Sequence, residues 1–171
     1  MTVTIPADWQ DTVNCFAARR HNKHRHDASH KVLTTDYWQK GLSGEVAFGL
    51  AMGLTVDLAD RPQGDGGIDF EVGGLCIDVK TSSNPGLGML VPTTFSKADE
   101  QRRATTALVL AHYQAADTVT LLGWMYDATA RSYPSKYVTG RGPLNHVVPI
   151  QHLESVHTLK GQIQEAKQRV V

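Results

Sequence analysis

The stretch Ile68-Asp69-Phe70-Glu71-Val72-Gly73-Gly74-Leu75-Cys76-Ile77-Asp78-Val79-Lys80 decides the fold. Two runs of alternating apolar and polar residues flank Gly73-Gly74, a pair that accepts positive φ at both positions and so closes a two-residue hairpin. That turn sets the register: Val72 faces Leu75, Glu71 faces Cys76, Phe70 faces Ile77, Asp69 faces Asp78 and Ile68 faces Val79. Side chains alternate between faces, so the apolar partners share one side while Asp69, Glu71, Asp78 and Lys80 share the other. Directly opposed carboxylates destabilise a sheet. The Asp69/Asp78 pair therefore demands either a protonated carboxyl or a cation between the two, and hard ions such as Mg²⁺ are held by one or two carboxylates with waters and phosphate oxygens. Lys80 follows on the same face, where an ammonium can orient an attacking water or neutralise charge developing on a phosphate. The alternative is a set of solvated polar groups on an open edge hairpin; their convergence in one register favours a site.

Working outward, the residues before the hairpin predict a helix over 37–52, with Asp36 as N-cap, Gln39 as its capping-box partner and Gly53 as the stop. Within it Glu45 has Gly41 and Gly49 one turn before and after, a strip without flanking side chains. Leu42, Val46 and Leu50 form a separate packing stripe. Helical glycine costs up to about 1 kcal/mol relative to alanine, so Gly41, Gly44 and Gly49 imply a close approach, either by substrate or by the sheet. An earlier helix is expected over 8–20. Further strands are expected at 55–58, 68–72, 75–81, 89–91, 105–113 and 118–126, with a helical turn at 96–103 and a loop at 134–149. From residue 150 onward Leu153, Val156, Leu159, Ile163, Ala166 and Val170 recur at helical spacing, interrupted by Gly161. Leu108, Val109, Leu110, Leu121 and Leu122 read as buried strand residues, and Trp124 as packing at a strand end. The order predicts an α/β domain with a mixed central sheet flanked by helices.

At 171 residues the chain fits one domain over 1–171, with 1–35 expected as an N-terminal helical and basic His-rich extension. Lys+Arg and Asp+Glu are both 17, so any polyanion must be held by local patches and not by net charge. One patch is visible: Arg19, Arg20, Lys23, Arg25 and Lys31 interleave with His21, His24, His26 and His30. A zinc site is the rival reading of these histidines, but their spacing is irregular, and a solvated basic segment touching phosphate fits the Arg and Lys neighbours better. Arg102, Arg103, Arg131, Lys136 and Arg141 read as scattered surface charge. The two cysteines, Cys15 and Cys76, form no framework, which points to a reducing, cytoplasmic compartment. No apolar run reaches the length of a membrane span, and no membrane partner is expected.

The hairpin and the helix before it resemble the PD-(D/E)xK phosphodiesterases, or restriction-endonuclease-like nucleases. The resemblance runs over 37–126 and is carried by Asp69, by the triplet Asp78-Val79-Lys80, and by Glu45 within Gly41-Leu42-Ser43-Gly44-Glu45-Val46-Ala47-Phe48. Ile68 stands where the eponymous proline stands in the family, and Asp78 where Glu is more frequent. What the resemblance implies is a restriction-endonuclease-like core in the order αβββαβ. It further implies a Mg²⁺- or Mn²⁺-dependent nuclease, an endonuclease on DNA more than on RNA, with products carrying a 5′-phosphate and a 3′-hydroxyl. Asp69, Asp78 and the Val79 carbonyl would hold the ion, Glu45 would hold a second ion or a water, and Lys80 would position the nucleophile. Many relatives cut both strands as dimers, so a homodimer is expected. The small size is associated with stand-alone phage or mobile-element nucleases and junction resolvases.

Thr81, Ser82 and Ser83 follow the triplet and are expected to hydrogen-bond backbone phosphates, joined by Arg19, Arg20, Lys23 and Arg25. Asp65, in Gly64-Asp65-Gly66-Gly67, is a further carboxylate that reads first as a turn residue. The alternative function is a catalytically inactive nuclease-fold protein that binds nucleic acid or serves assembly, since folds outlast their chemistry.

Overall fold

The computed structural model describes residues 1–24, 35–58, 68–93, 105–138 and 143–169, with the side chains of Lys23 and His24 left out. The diglycine turn forms with both residues at positive φ, 53° at Gly73 and 85° at Gly74. It joins β2 (Phe70–Val72) to β3 (Leu75–Ser82) in the expected register, Phe70 on Ile77, Glu71 on Cys76 and Val72 on Leu75. The ladder stops there. Asp69 lies just outside β2, and its amide donates to the Ile77 carbonyl at 2.9 Å, so it enters the hairpin as a loop residue with a different bond from the one regular pairing would give.

On its other edge β3 runs parallel to β5 (Ala107–Ala115). β5 pairs antiparallel with β6 (Thr118–Tyr126), and β6 with β1 (Thr2–Thr4), which completes a five-stranded mixed sheet in the order β1-β6-β5-β3-β2. Alternation along β5 separates two cores. Ala107, Val109 and Ala111 join Ile77 and Val79 under α1 (Ala7–His24), α2 (Thr35–Met52) and, near the C-terminus, α4 (Val156–Gln168). Leu108 and Leu110 face the opposite way, onto a three-stranded sheet of β4 (Met89–Pro92), β8 (Leu144–Val148) and β7 (Ser135–Tyr137), beside the short α3 (Asp127–Ala130). The chain is thus a mixed α/β protein, and its central sheet lies between helices and a smaller sheet.

Several expectations need correction. Residues 2–24, which contain the expected early helix as α1, pack into the body of the chain: β1 extends the sheet, and Ile5, Val13 and Phe16 are buried in the main core. No strand forms at 55–58, because after Gly53, at φ 60°, the Leu54 amide turns back onto the Gly49 carbonyl and Val56 packs on the helix. The expected loop at 134–149 contains β7 and β8. Asp36 is not the cap; it lies in the first turn of α2 and pairs with Lys40 at 2.8 Å, while Gln39 reaches across to Asn14 at 2.7 Å. Gly161 lies within α4 without interrupting it. The helical turn at 96–103 and the residues Arg25, His26, His30, Lys31, Asp65, Arg102, Arg103, Arg141 and Val170 lie outside the described residues. Among the described residues no helix is long and apolar enough to cross a membrane.

Candidate active site

β2 is three residues long and β3 is eight, so the outer edge of β3 beyond Ile77 has no strand beside it. Asp69 fills the first part of that gap: its carboxylate Oδ2 accepts the Val79 amide at 2.6 Å. The N–H and C=O of a strand residue point to the same edge, and the Val79 carbonyl therefore shares this open edge with the Asp69 carboxylate. Asp78 and Lys80 project to the face shared with Leu108 and Leu110, which they oppose in the parallel ladder. Asp78 is only 7% exposed, and the Lys80 ammonium lies 2.6 Å from its Oδ2. A buried carboxylate needs such a charged partner.

The remaining wall is α2, which approaches β3 closely because Gly44 has no side chain. A Cβ there would collide with Thr81 Oγ1 and press on Ala111. Gly49 makes the same kind of contact with Val56 and the Leu54 carbonyl. Close packing therefore accounts for two of the three helical glycines, Gly44 against the sheet and Gly49 against the chain that follows the helix, whereas Gly41 faces open space. One turn after Gly41, half-buried Glu45 lines the same cleft as the edge of β3. The result is an open cleft of about 600 Å³ lined by Glu45, Asp69, Asp78, Val79 and Lys80.

The other expected residues divide. Thr81, Ser82, Ser83 and Arg20 also line the cleft. The Thr81 hydroxyl donates to the Gly41 carbonyl at 3.4 Å, and Ser82 Oγ accepts the Asn84 amide at 3.0 Å, so both hydroxyls are engaged with the backbone. Arg19 is exposed over Phe16 and is not among the lining residues. The Lys23 side chain and Arg25 lie outside the described residues. Tyr37, Trp38 and Lys40 line the cleft without having been anticipated. For Tyr37 the signal was present in the sequence: Tyr37 and Gly41 precede Glu45 at successive four-residue steps, hence on one helix face. Beside them Tyr113 has its hydroxyl pushed above the ordinary tyrosine value, first by burial and then by the Asp36 carboxylate.

Among the described residues no group of three His, Cys, Asp or Glu side chains is gathered closely enough to hold a metal by itself. The oxygens that line the cleft at the β3 edge, two carboxylates and a main-chain carbonyl, are of the type that hard divalent ions take, and Mg²⁺ completes its shell with water. Comparison with protein-family models, curated proteins and solved structures returned no match.

Proposed function

We propose that the chain is a Mg²⁺- or Mn²⁺-dependent nuclease with a restriction-endonuclease-like core, hydrolysing phosphodiester bonds in nucleic acid, DNA in preference to RNA. One observation carries the reading: Glu45, Asp69, Asp78 and Lys80, the residues on which the family resemblance rests, line a single cleft. Asp69, Asp78 and the Val79 carbonyl would hold the ion with Glu45 nearby, and the ion would supply a more acidic water and charge stabilisation on the phosphate. The chain's own groups do the rest. Lys80 would swing from Asp78 toward the scissile phosphate, orienting the water and balancing negative charge. The water oxygen bonds to phosphorus and releases a proton to solvent while the P–O bond to the 3′-oxygen breaks, that oxygen leaving as a hydroxyl protonated from solvent. Asp69 holds the β3 edge in place through the Val79 amide. Arg20 and Lys40, both in the cleft wall, attract flanking phosphates irrespective of sequence.

The test is cleavage of plasmid and oligonucleotide substrates in Mg²⁺ and Mn²⁺ by the parent and by Lys80→Ala. Metal-dependent cleavage that falls about 100- to 1000-fold in the variant supports the assignment; equal activity removes it. A second reading, a nuclease-fold protein that binds nucleic acid without cutting it, draws support from the Asp78–Lys80 ion pair, which engages both groups with each other. Calorimetric titration with Mn²⁺ separates the two, since the inactive protein would show no heat dependent on Asp69 and Asp78.

A further inference from the structure

We infer that Tyr37 is a stacking platform for an unpaired nucleobase, and that the stripe Tyr37, Gly41, Glu45 guides a single strand from that ring to the carboxylates. The inference rests on the nuclease reading and narrows it to single-stranded or frayed substrates. The three residues share one face of α2 and line the same cleft as Asp69, Asp78 and Lys80. Tyr37 is 57% exposed, edge-on to the Trp38 ring at 5.9 Å, and Trp38 in turn lies 5.6 Å from the Arg20 guanidinium. More than half of the Tyr37 surface is exposed, and every base offers a π-face that can stack on an aromatic ring.

Gly41 supplies the second, independent observation. A Cβ there would meet nothing within 4 Å, so packing does not require glycine, although glycine weakens a helix relative to alanine. Its missing side chain leaves a smooth floor between the ring and the acids. Eight residues of helix separate Tyr37 from Glu45, a rise of about 12 Å, short enough for one strand to touch both. Arg20 flanks the path and draws in its phosphates, beside Lys40, whose ammonium is shared with Asp36. A duplex keeps its bases stacked on one another and has no free face for the ring.

The test titrates the full chain, in Ca²⁺, with three fluorescein-labelled probes of equal length: oligothymidylate, the same backbone with abasic sites, and a duplex. The parent is expected to bind oligothymidylate about tenfold or more tighter than the other two. Tyr37→Ala removes that difference with an unchanged melting curve, Tyr37→Phe restores it, and Gly41→Gln weakens oligothymidylate binding without lowering the melting temperature. A Tyr37→Ala protein that binds oligothymidylate as the parent does, or a parent that prefers duplex, overturns the platform; Lys80-dependent cleavage in the same preparations would then leave the nuclease reading standing. Neither binding nor cleavage of any probe overturns both.

Discussion

The Asp69 carboxylate accepts the Val79 amide across the hairpin, Oδ2 to N 2.6 Å, so one side chain both closes the edge of β3 and lines the cleft. The two roles separate by substitution. Asp69→Asn keeps an oxygen acceptor and is expected to melt close to the parent while losing cleavage. Asp69→Ala orphans a part-buried amide and is expected to lose about 1–3 kcal/mol as well as activity, measured by urea denaturation beside a cleavage assay.

Divalent ions should stabilise the fold through the same groups. At an ion concentration about a hundred times Kd, linkage adds about 2.7 kcal/mol to unfolding. The expected outcome is a Mg²⁺- or Mn²⁺-dependent rise in melting temperature for the parent, reversed by EDTA, and none for Asp69→Asn combined with Asp78→Asn.

Gly44 and Gly41 are expected to respond to alanine with opposite signs. Gly44→Ala drives a Cβ into Thr81 Oγ1 and is expected to destabilise by about 1–3 kcal/mol, the usual cost of overpacking. Gly41→Ala meets open space and is expected to gain up to about 1 kcal/mol from helix propensity. Adding Thr81→Ala to Gly44→Ala should recover part of the loss, which a double-mutant cycle of denaturation midpoints measures.

Cys76 gives a pH signature. Burial, and then the Glu71 carboxylate, push its thiol above the ordinary value near 9. The folded chain therefore keeps this proton at pH values where the unfolded chain has lost it. The resulting stability is fully present below pH 9 and falls as pH rises beyond it, a slope that Cys76→Ala should flatten. In alkylation followed by mass spectrometry at pH 8, exposed Cys15 should react first and Cys76 more slowly.

The hairpin was legible because a diglycine turn and strict alternation leave one register. The long helices were legible because their apolar stripes are long. What escaped was short or out of phase. β1 and β7 are three residues each, too brief for alternation to register, and β8 lies in a segment whose glycines and prolines read as turns. In β6 the pairing slips beside Leu110 and Ala111, so Leu121 faces the helices, Leu122 the small sheet, and Trp124 the helices again. A uniform alternation cannot predict that change of phase. The residue pairs of the site were readable from spacing, but the Asp69 bond to Val79 was not, since it depends on β2 beginning at Phe70, two residues later than the alternation predicts. The approach of α2 was foreshadowed by its glycines, without showing which of them served the sheet.

Asp78, Val79 and Lys80 are fixed from both sides, for the middle residue is embedded beneath the helices while its neighbours lie over the layer formed by Leu108 and Leu110. Sliding the strand by a single position would pull a hydrophobic peg from one compartment and thrust a charge into it. Anyone re-engineering this protein should hold that tripeptide constant and vary the exposed rim of α2, where substitutions change the cleft wall without shifting Asp78 or Lys80.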